Sequence, residues 1–398
     1  MLRFLTLEPE AIGLDISDLS LKIINLKKRG KFYGLASFGE ERIKPGIIKR
    51  GEIRDEEKLA EIIKVAIKKV KGEKLDTKYI IASLPEEKSF LQIIQMPRMP
   101  EEDLKSAVIY EAENYIPLPI DQVYLDFEII PSIQDDSSNF SILLAAMPKK
   151  IVDSYISSFK RARLQPKALE IESLSIVRAL IRSEVIASPV LVIDLGETRT
   201  TFIVFAGHAV RFTSSIPVSS GSFDEIISKN LGVSLTEAER LKIKYGLEER
   251  LEFKIKEKET EIRKGQGKIF ETLIPALVDL IQQIKRHLEY YQTHADYKQL
   301  SLNNKGITKI LLCGGGANLK GLSELLALEL KIPVEIANPW VNILPGGQKE
   351  TPELSAKKSL GYTTALGLAL RGIKSEQREQ LHRKIWGSQP KSVFKKDD

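Results

Sequence analysis

Ile12-Gly13-Leu14-Asp15-Ile16-Ser17-Asp18-Leu19-Ser20-Leu21-Lys22-Ile23 and Val192-Ile193-Asp194-Leu195-Gly196-Glu197-Thr198-Arg199-Thr200-Thr201-Phe202-Ile203 are two copies of one pattern. In each, an apolar strand runs to an aspartate, a small or polar turn follows, and a second apolar strand begins. The copies lie about 180 residues apart, too widely for a solenoid repeat. Two β-hairpins, each offering a carboxylate and backbone or hydroxyl donors, suit a phosphate chain and its metal held between two lobes.

A third stretch fits the same site. Ile310-Leu311-Leu312-Cys313-Gly314-Gly315-Gly316-Ala317-Asn318 reads as a buried strand and a triple-glycine turn, with a helix after it. Glycines there allow positive φ and a close approach of backbone to a ligand. The helix that follows turns its positive N-terminal end toward that ligand. A glycine run by itself is weak evidence, but behind two phosphate-type hairpins it gains weight.

Composition bounds the remaining possibilities. At 398 residues, with 42% hydrophobic and 29% charged residues, the chain reads as a soluble globular protein of at least two domains. There is no apolar run of membrane-spanning length, and Glu8 and Pro9 follow Met1 too soon for a secretory signal. The lone cysteine, Cys313, can form neither an internal disulfide nor a metal cluster, which points to the cytoplasm. The net charge of +6 is concentrated in the tail, where eight Lys or Arg face four acids from Arg371 to Asp398. A nucleic-acid groove on the folded body is therefore not expected. His208, His287, His294 and His382 have no metal-ligand spacing, and no serine or cysteine triad motif is present.

Along the chain, strands are expected at 11–14, 21–26 and 33–38, a helix at 56–71 and a strand at 78–84. Residues 85–168 read as an inserted α+β module. Within it a helix from Glu101 to Ile116 buries Leu104, Val108, Ala112 and Tyr115, and Pro117 stops it. Strands at 190–194, 200–205 and 209–215 repeat the first meander. Helices at 222–231 and 236–245 and a long helix at 268–291 containing Pro275 follow, and the last helix falls near 359–371. The dense charges of 248–264 read as a solvated segment.

Twin hairpins, a connecting helix, a glycine-rich turn and a final helix resemble the actin-like ATPase superfamily. More narrowly, the chain resembles the PilM family of type IV pilus assembly proteins. The resemblance rests on Ser83-Leu84-Pro85, Glu111-Ala112-Glu113-Asn114-Tyr115-Ile116-Pro117-Leu118-Pro119, Asp126-Phe127, Lys149-Lys150-Ile151 after Ala145-Ala146, and Glu172-Ser173. In the second lobe it rests on Gly232-Val233-Ser234-Leu235-Thr236-Glu237-Ala238-Glu239 and Pro333-Val334-Glu335-Ile336-Ala337-Asn338-Pro339. FtsA, a cell-division relative, shares the architecture but matches these phrases less well.

The resemblance implies an α/β actin-like fold, two ribonuclease-H-like lobes around a nucleotide cleft. The first lobe would hold residues 1–84 and a connecting helix at 169–188, with the insert 85–168 docking a partner. The second would hold 189–230 and 305–350, with 231–304 lining an adenosine pocket, 351–371 returning to the first lobe and 372–398 a flexible basic tail.

It implies ATP or ADP with Mg²⁺ as cofactors and a PilN-like inner-membrane protein as partner, bound through that protein's cytoplasmic N-terminal peptide. Other pilus platform proteins and further copies of the chain are secondary partners. The function implied is a nucleotide-responsive adaptor peripheral to the inner membrane, at most a slow ATPase. The alternatives are an FtsA-like membrane tether, for which Leu381, Ile385 and Trp386 offer a short apolar tail, and a small-molecule kinase.

Carried over residue by residue, Asp15 and Asp194 match the hairpin acids and would hold Mg²⁺ through water. The alternative reading of each is a plain turn cap. Ser17, Ser20 and Lys22 would touch the β- or γ-phosphate, although Asp18 and Leu19 stand where the family turn is richer in Gly and Ser. Gly196, Thr198 and Thr200 match the second phosphate loop, and one of Thr200 and Thr201 is a strand-forming residue. Glu172 is a water- or metal-orienting group or a plain helix-start acid. Gly314, Gly315, Gly316 and Asn318 match the adenosine loop. Glu239 and Lys242 match the adenine and ribose pocket, or form an i,i+3 ion pair.

Overall fold

The computed structural model describes residues 10–131, 139–182, 186–247, 267–294 and 306–373. Met1–Pro9, the charged run at 248–264, the loop around 135–138, His382 and the basic tail beyond Ile373 lie outside the described residues.

The first lobe begins with the meander β1 (Ile12–Ile16), β2 (Ser20–Arg29) and β3 (Phe32–Arg42). A small hairpin, β4 (Ile48–Lys49) with β5 (Glu52–Ile53), leads into helix α1 (Glu56–Lys68). Asp55 caps α1 by accepting the Lys58 N–H, and Leu59, Ala60, Ile63 and Ala66 make its buried face. After β6 (Lys71–Gly72), strand β7 (Tyr79–Leu84) runs parallel to β1.

The insert follows as β8 (Phe90–Pro97), α2 (Glu101–Ala112), β9 (Val123–Ile130) and β10 (Asn139–Pro148). Its antiparallel sheet has the order β8-β10-β9. Leu104, Val108 and Ala112 of α2 join Ile94, Ile142 and Leu144 in a separate small core.

Two expectations for the insert need correction. Tyr115 is 42% exposed, and Ile116 takes the buried position instead. The helix ends at Ala112, where the N–H groups of Tyr115 and Ile116 both turn back to the Ala112 carbonyl, and Pro117 bars further α geometry. The second correction concerns the span 85–168. Helix α3 (Lys149–Arg161) buries Ile151, Val152, Tyr155 and Phe159 in the first-lobe core. Strand β11 (Gln165–Ile171) pairs parallel to β7. Hence only the stretch from β8 to β10 forms the separate module.

Helix α4 (Glu172–Leu180) leads to β12 (Ile186–Leu195), β13 (Thr200–Gly207) and β14 (Ala209–Ile216). Helices α5 (Ser220–Leu231), α6 (Leu235–Tyr245) and α7 (Gly267–His294) follow, the last continuous through Pro275. Then come β15 (Lys309–Cys313), α8 (Leu322–Leu330), β16 (Val334–Ile336) and α9 (Thr363–Ile373).

The two large sheets have the orders β11-β7-β1-β2-β3-β6 and β14-β13-β12-β15-β16. Both contain an antiparallel meander whose first strand is continued by two parallel neighbours, so apart from the extra edge strand β6 the strand orders correspond one to one. The duplicated hairpins of the sequence are thus the duplicated centres of two sheets.

Helices α4 and α9 stitch the lobes together. Helix α4, expected to belong to the first lobe, buries Ile176, Val177 and Leu180 in the second-lobe core. Helix α9 packs Ala365, Leu366, Ala369 and Leu370 against Ile24, Leu26 and Phe38 of the first lobe. They cross so closely that a Cβ on Gly367 would sit 1.9 Å from the Ser175 carbonyl oxygen. Beside the crossing, the buried Glu170 carboxylate pairs with Arg178 and, at 3.0 Å, with Arg371.

Gly367→Ala should lower the urea midpoint. Helix propensity would gain about 1 kcal/mol, but overpacking against backbone costs about 1–3 kcal/mol or more. A raised midpoint would show that the helices do not need this approach.

Candidate functional site

The first hairpin turn is organised by its own side chains. The Ser17 N–H donates to the Ser20 carbonyl at 2.9 Å. The two hydroxyls lie 3.0 Å apart, and Lys22 Nζ donates to Ser20 Oγ at 3.1 Å. Asp15, buried at the end of β1, accepts from the Ser83 hydroxyl at 3.0 Å, while Ser83 Oγ accepts the Ile16 N–H at 2.9 Å. Ser17, Ser20 and Lys22 thus lie together in this turn, with Lys22 near enough to act on Asp15. Ser83, quoted above only as part of a family phrase, holds the aspartate.

The second turn sits on the N-terminus of α5. The Gly196 N–H closes the turn on the Arg199 carbonyl, and the Ser220 and Gly221 N–H groups donate to the Gly196 and Glu197 carbonyls. Those N–H groups have no partner within the helix, so the loop completes them. Thr198 lies in this turn, half-buried. Thr200 does not belong to the site: it is 0% exposed, and its hydroxyl donates to the Val218 carbonyl at 2.7 Å. As the first residue of β13 its side chain points into the sheet's packing.

The glycine turn closes over Asp194. Gly314 has φ +81, and a Cβ there would meet Asp194 Oδ1 at 2.3 Å, so only glycine fits. Gly316 is pressed against Leu195, whereas Gly315 is exposed with open space beside it. Cys313 Sγ lies 3.8 Å from Asp194 Oδ1, a weak donor contact. Asn318 braces the turn by donating to the Gly315 and Lys357 carbonyls.

Lys242 needs correction. Its ammonium is buried and donates to Ser220 O, Ser220 Oγ and Asp224 Oδ2 at 2.8, 2.9 and 2.6 Å. It supports the second turn from behind, and its partner is Asp224 rather than Glu239. Glu239 is exposed on the same helix, near enough to Arg42 to act on it electrostatically.

The residue that sequence reading passed over is Arg199, in the second turn itself. Its guanidinium is 13% exposed and lies 3.0 Å from Glu87 and 3.5 Å from Asp18. Asp18 also accepts the Arg50 and Gly51 N–H groups at 2.8 and 2.9 Å. A second ion pair runs the other way, Arg42 of β3 to Glu197 at 2.5 Å. Position within a quoted motif was the one available signal for Arg199, since its partners are distant in sequence.

The cleft floor is crowded with acids. Burial pushes Glu172 up to about 8, helped by the charges of Asp15, Glu86 and Asp194 and opposed by Arg199. Burial, and then the charge of Asp15, pushes Asp194 up to about 6. Asp15 and Glu86 are raised as well, burial first. Two carboxylates that repel each other at the ends of two strands are a place where a cation is stabilised. Among the described residues no cluster of three or more His, Cys, Asp and Glu could cage a metal. The donor set therefore fits Mg²⁺ only in its usual manner, with water and phosphate oxygens completing the shell. No described helix is long and apolar enough to cross a membrane.

Two lobes with corresponding sheets, joined at paired hairpins, define the class as an actin-like ATPase fold. EutJ, an ethanolamine utilization protein from Carboxydothermus hydrogenoformans, is similar at TM-score 0.51 and 13% identity, covering 93% of each chain. MreB5 of Spiroplasma citri, solved with AMPPNP, is similar at TM-score 0.52 and 12% identity, covering 95% of this chain and all of its own. The type IV pilus biogenesis complex PilM–PilN is similar at TM-score 0.73 and 25% identity, covering 92% of this chain and 99% of the matched one. The profile of the type IV pilus assembly protein PilM matches residues 13–373, and the chain belongs to that family.

The raised acids set a pH dependence. A carboxyl raised in the folded state favours folding below its ordinary value, near 4.5 for Glu172, and that contribution is lost as pH rises toward about 8. Without nucleotide, the thermal midpoint should fall over this window. Glu172→Gln should have the higher midpoint at about pH 8; an unchanged or lower one would contradict the buried-acid account.

Proposed function

We propose that the chain is a nucleotide-responsive adaptor of the type IV pilus inner-membrane platform. It binds ATP or ADP with Mg²⁺ between its hairpins and the cytoplasmic N-terminal peptide of a PilN-like membrane protein beside its insert. The observation that carries this reading is the likeness to the PilM–PilN complex over nearly the whole chain, within a family match over residues 13–373. The protein then works on the cytoplasmic face of the membrane, held there by its partner.

The geometry supports a nucleotide role. Lys22 and the Ser17 and Ser20 hydroxyls offer donors to phosphate oxygens, and Thr198 and the Gly196 loop offer donors from the opposite side. Asp15, Asp194 and Glu172 offer oxygens to a hydrated cation. When bound, Mg²⁺ would supply the positive charge that lets phosphates approach these acids. Gly315, with nothing above it, leaves room for a nucleoside. Turnover, if any, is slow in this reading, because no described residue is held as a dedicated base.

The insert supports a docking role. Tyr110 is 74% exposed, and Ile109, Tyr115, Leu118 and Tyr124 are also exposed apolar side chains. An open groove on the segment that joins α2 to β9 is lined by Glu113, Ile116, Pro117, Leu118, Pro119 and Ile120. Exposed aromatic and proline-rich surface of this kind suits a short peptide.

Calorimetric titration with a peptide copying a PilN N-terminus, with and without Mg-ATP, tests the proposal. Binding that changes with nucleotide is the expected result, since coupled sites must respond to each other. No peptide binding in either state would overturn it. Asp15→Asn or Asp194→Asn should weaken Mg-ATP binding by about ten- to hundredfold, the loss of about 1.5–3 kcal/mol of charge-assisted contact.

A further inference from the structure

The turn that opens the insert is wired to the second phosphate hairpin. Glu86–Lys88 forms a short 3-10 turn between β7 and β8. Two of its side chains hold it to neighbouring structure. Glu86 accepts the Ser173 N–H at the start of α4 at 3.0 Å, and Lys88 pairs with Glu52 at 2.9 Å. The third, Glu87, pairs with Arg199 at 3.0 Å. Arg199 is thus the point where the second hairpin grips the root of the insert.

Arg199 also stands where a terminal phosphate would compete for it. It lies in the turn between Thr198 and Thr200, and its guanidinium reaches the first-hairpin residue Asp18. Its field acts on Asp15, Asp194 and Glu172. Lys22 is the other cation acting on Asp15 and Asp194, and it is already donating to Ser20. A guanidinium binds phosphate through two parallel N–H bonds and is weakly hydrated, so exchange of a carboxylate for a phosphate is favourable. The two carboxylates differ in what they lose. Asp18 keeps its Arg50 and Gly51 N–H donors. Glu87 is left without the ion pair described for it.

Resting on the nucleotide reading above, we infer that Arg199 distinguishes a nucleoside triphosphate from a diphosphate. On turning to the terminal phosphate it releases Glu87, which loosens the root of the insert from the second hairpin while Glu86 stays bound to the start of α4. The phosphate content of the cleft is thereby passed to the docking module through one ion pair.

The test uses the full chain with Mg-ATP and Mg-ADP. Wild type should bind ATP more tightly than ADP, and ATP alone should raise hydrogen exchange at residues 86–90. Arg199→Gln should shrink the ATP-over-ADP preference by about tenfold or more, the loss expected for a charge-assisted contact. Glu87→Gln removes the competitor, so ATP affinity should rise several-fold with ADP unchanged, and exchange at 86–90 should be high without nucleotide. Arg42→Gln breaks the other, more exposed cross-lobe pair and should leave the preference at the wild-type value. A wild-type preference in Arg199→Gln, or exchange at 86–90 indifferent to ATP, overturns this inference alone. Failure of wild type to bind either nucleotide overturns the nucleotide reading itself, and this inference with it.

Discussion

Two carboxylates, the buried Asp15 and the half-buried Asp194, end the central strands of two sheets and repel each other across the junction. Keeping them there is the constraint on which the surrounding structure depends. Like charges out of water are tolerated only with donors, cations or protons to compensate. Each acid has its own provision. Asp15 has the Ser83 hydroxyl and the nearby Lys22, and Asp194 has the Cys313 thiol and a glycine turn folded over it. Glu172 and Glu86 add to the negative field, which explains why Arg199 lies at its centre.

Rigid crossings fix the lobes behind that site. Helix α4 leaves the first sheet to bury its face in the second, and α9 does the reverse. Because each lobe's core contains the other's helix, the lobes are joined at Gly367 and Ser175, where no side chain separates the backbones. In front, the ties are polar: Arg42 to Glu197, and Arg199 to Glu87 and Asp18. Ion pairs of this sort exchange partners at much lower cost than packed helices separate. A ligand that changes charge in the cleft can therefore act on the front without disturbing the back.

Much of the candidate site was legible from local pattern. Asp15, Ser17, Ser20 and Lys22 converge because a hairpin turn brings near neighbours together whatever the rest of the chain does. The triple glycine was legible because a strand-to-helix turn beside a carboxylate excludes a Cβ. The failures share a cause. Thr200 looked like a phosphate ligand by type and place, but strand alternation faces it to Val218. Lys242 looked like a pocket lysine, but Asp224, a half-buried acid on the preceding helix, claims it. Tyr115 kept helical spacing past the point where the helix ends.

What the sequence determined by itself was the duplicated strand–aspartate–strand pattern, and with it the class of fold and the axis on which a site would form. Hydrophobic periodicity and turn chemistry act between near neighbours, so they survive in one dimension. The tertiary structure alone decided which side chains compensate the buried charges. It joined Arg199 to Glu87 and Asp18, Ser83 to Asp15, and β11 to β7, bringing together residues 67 or more positions apart. Electrostatic and packing partners are chosen by distance in space, and no local spacing records that distance.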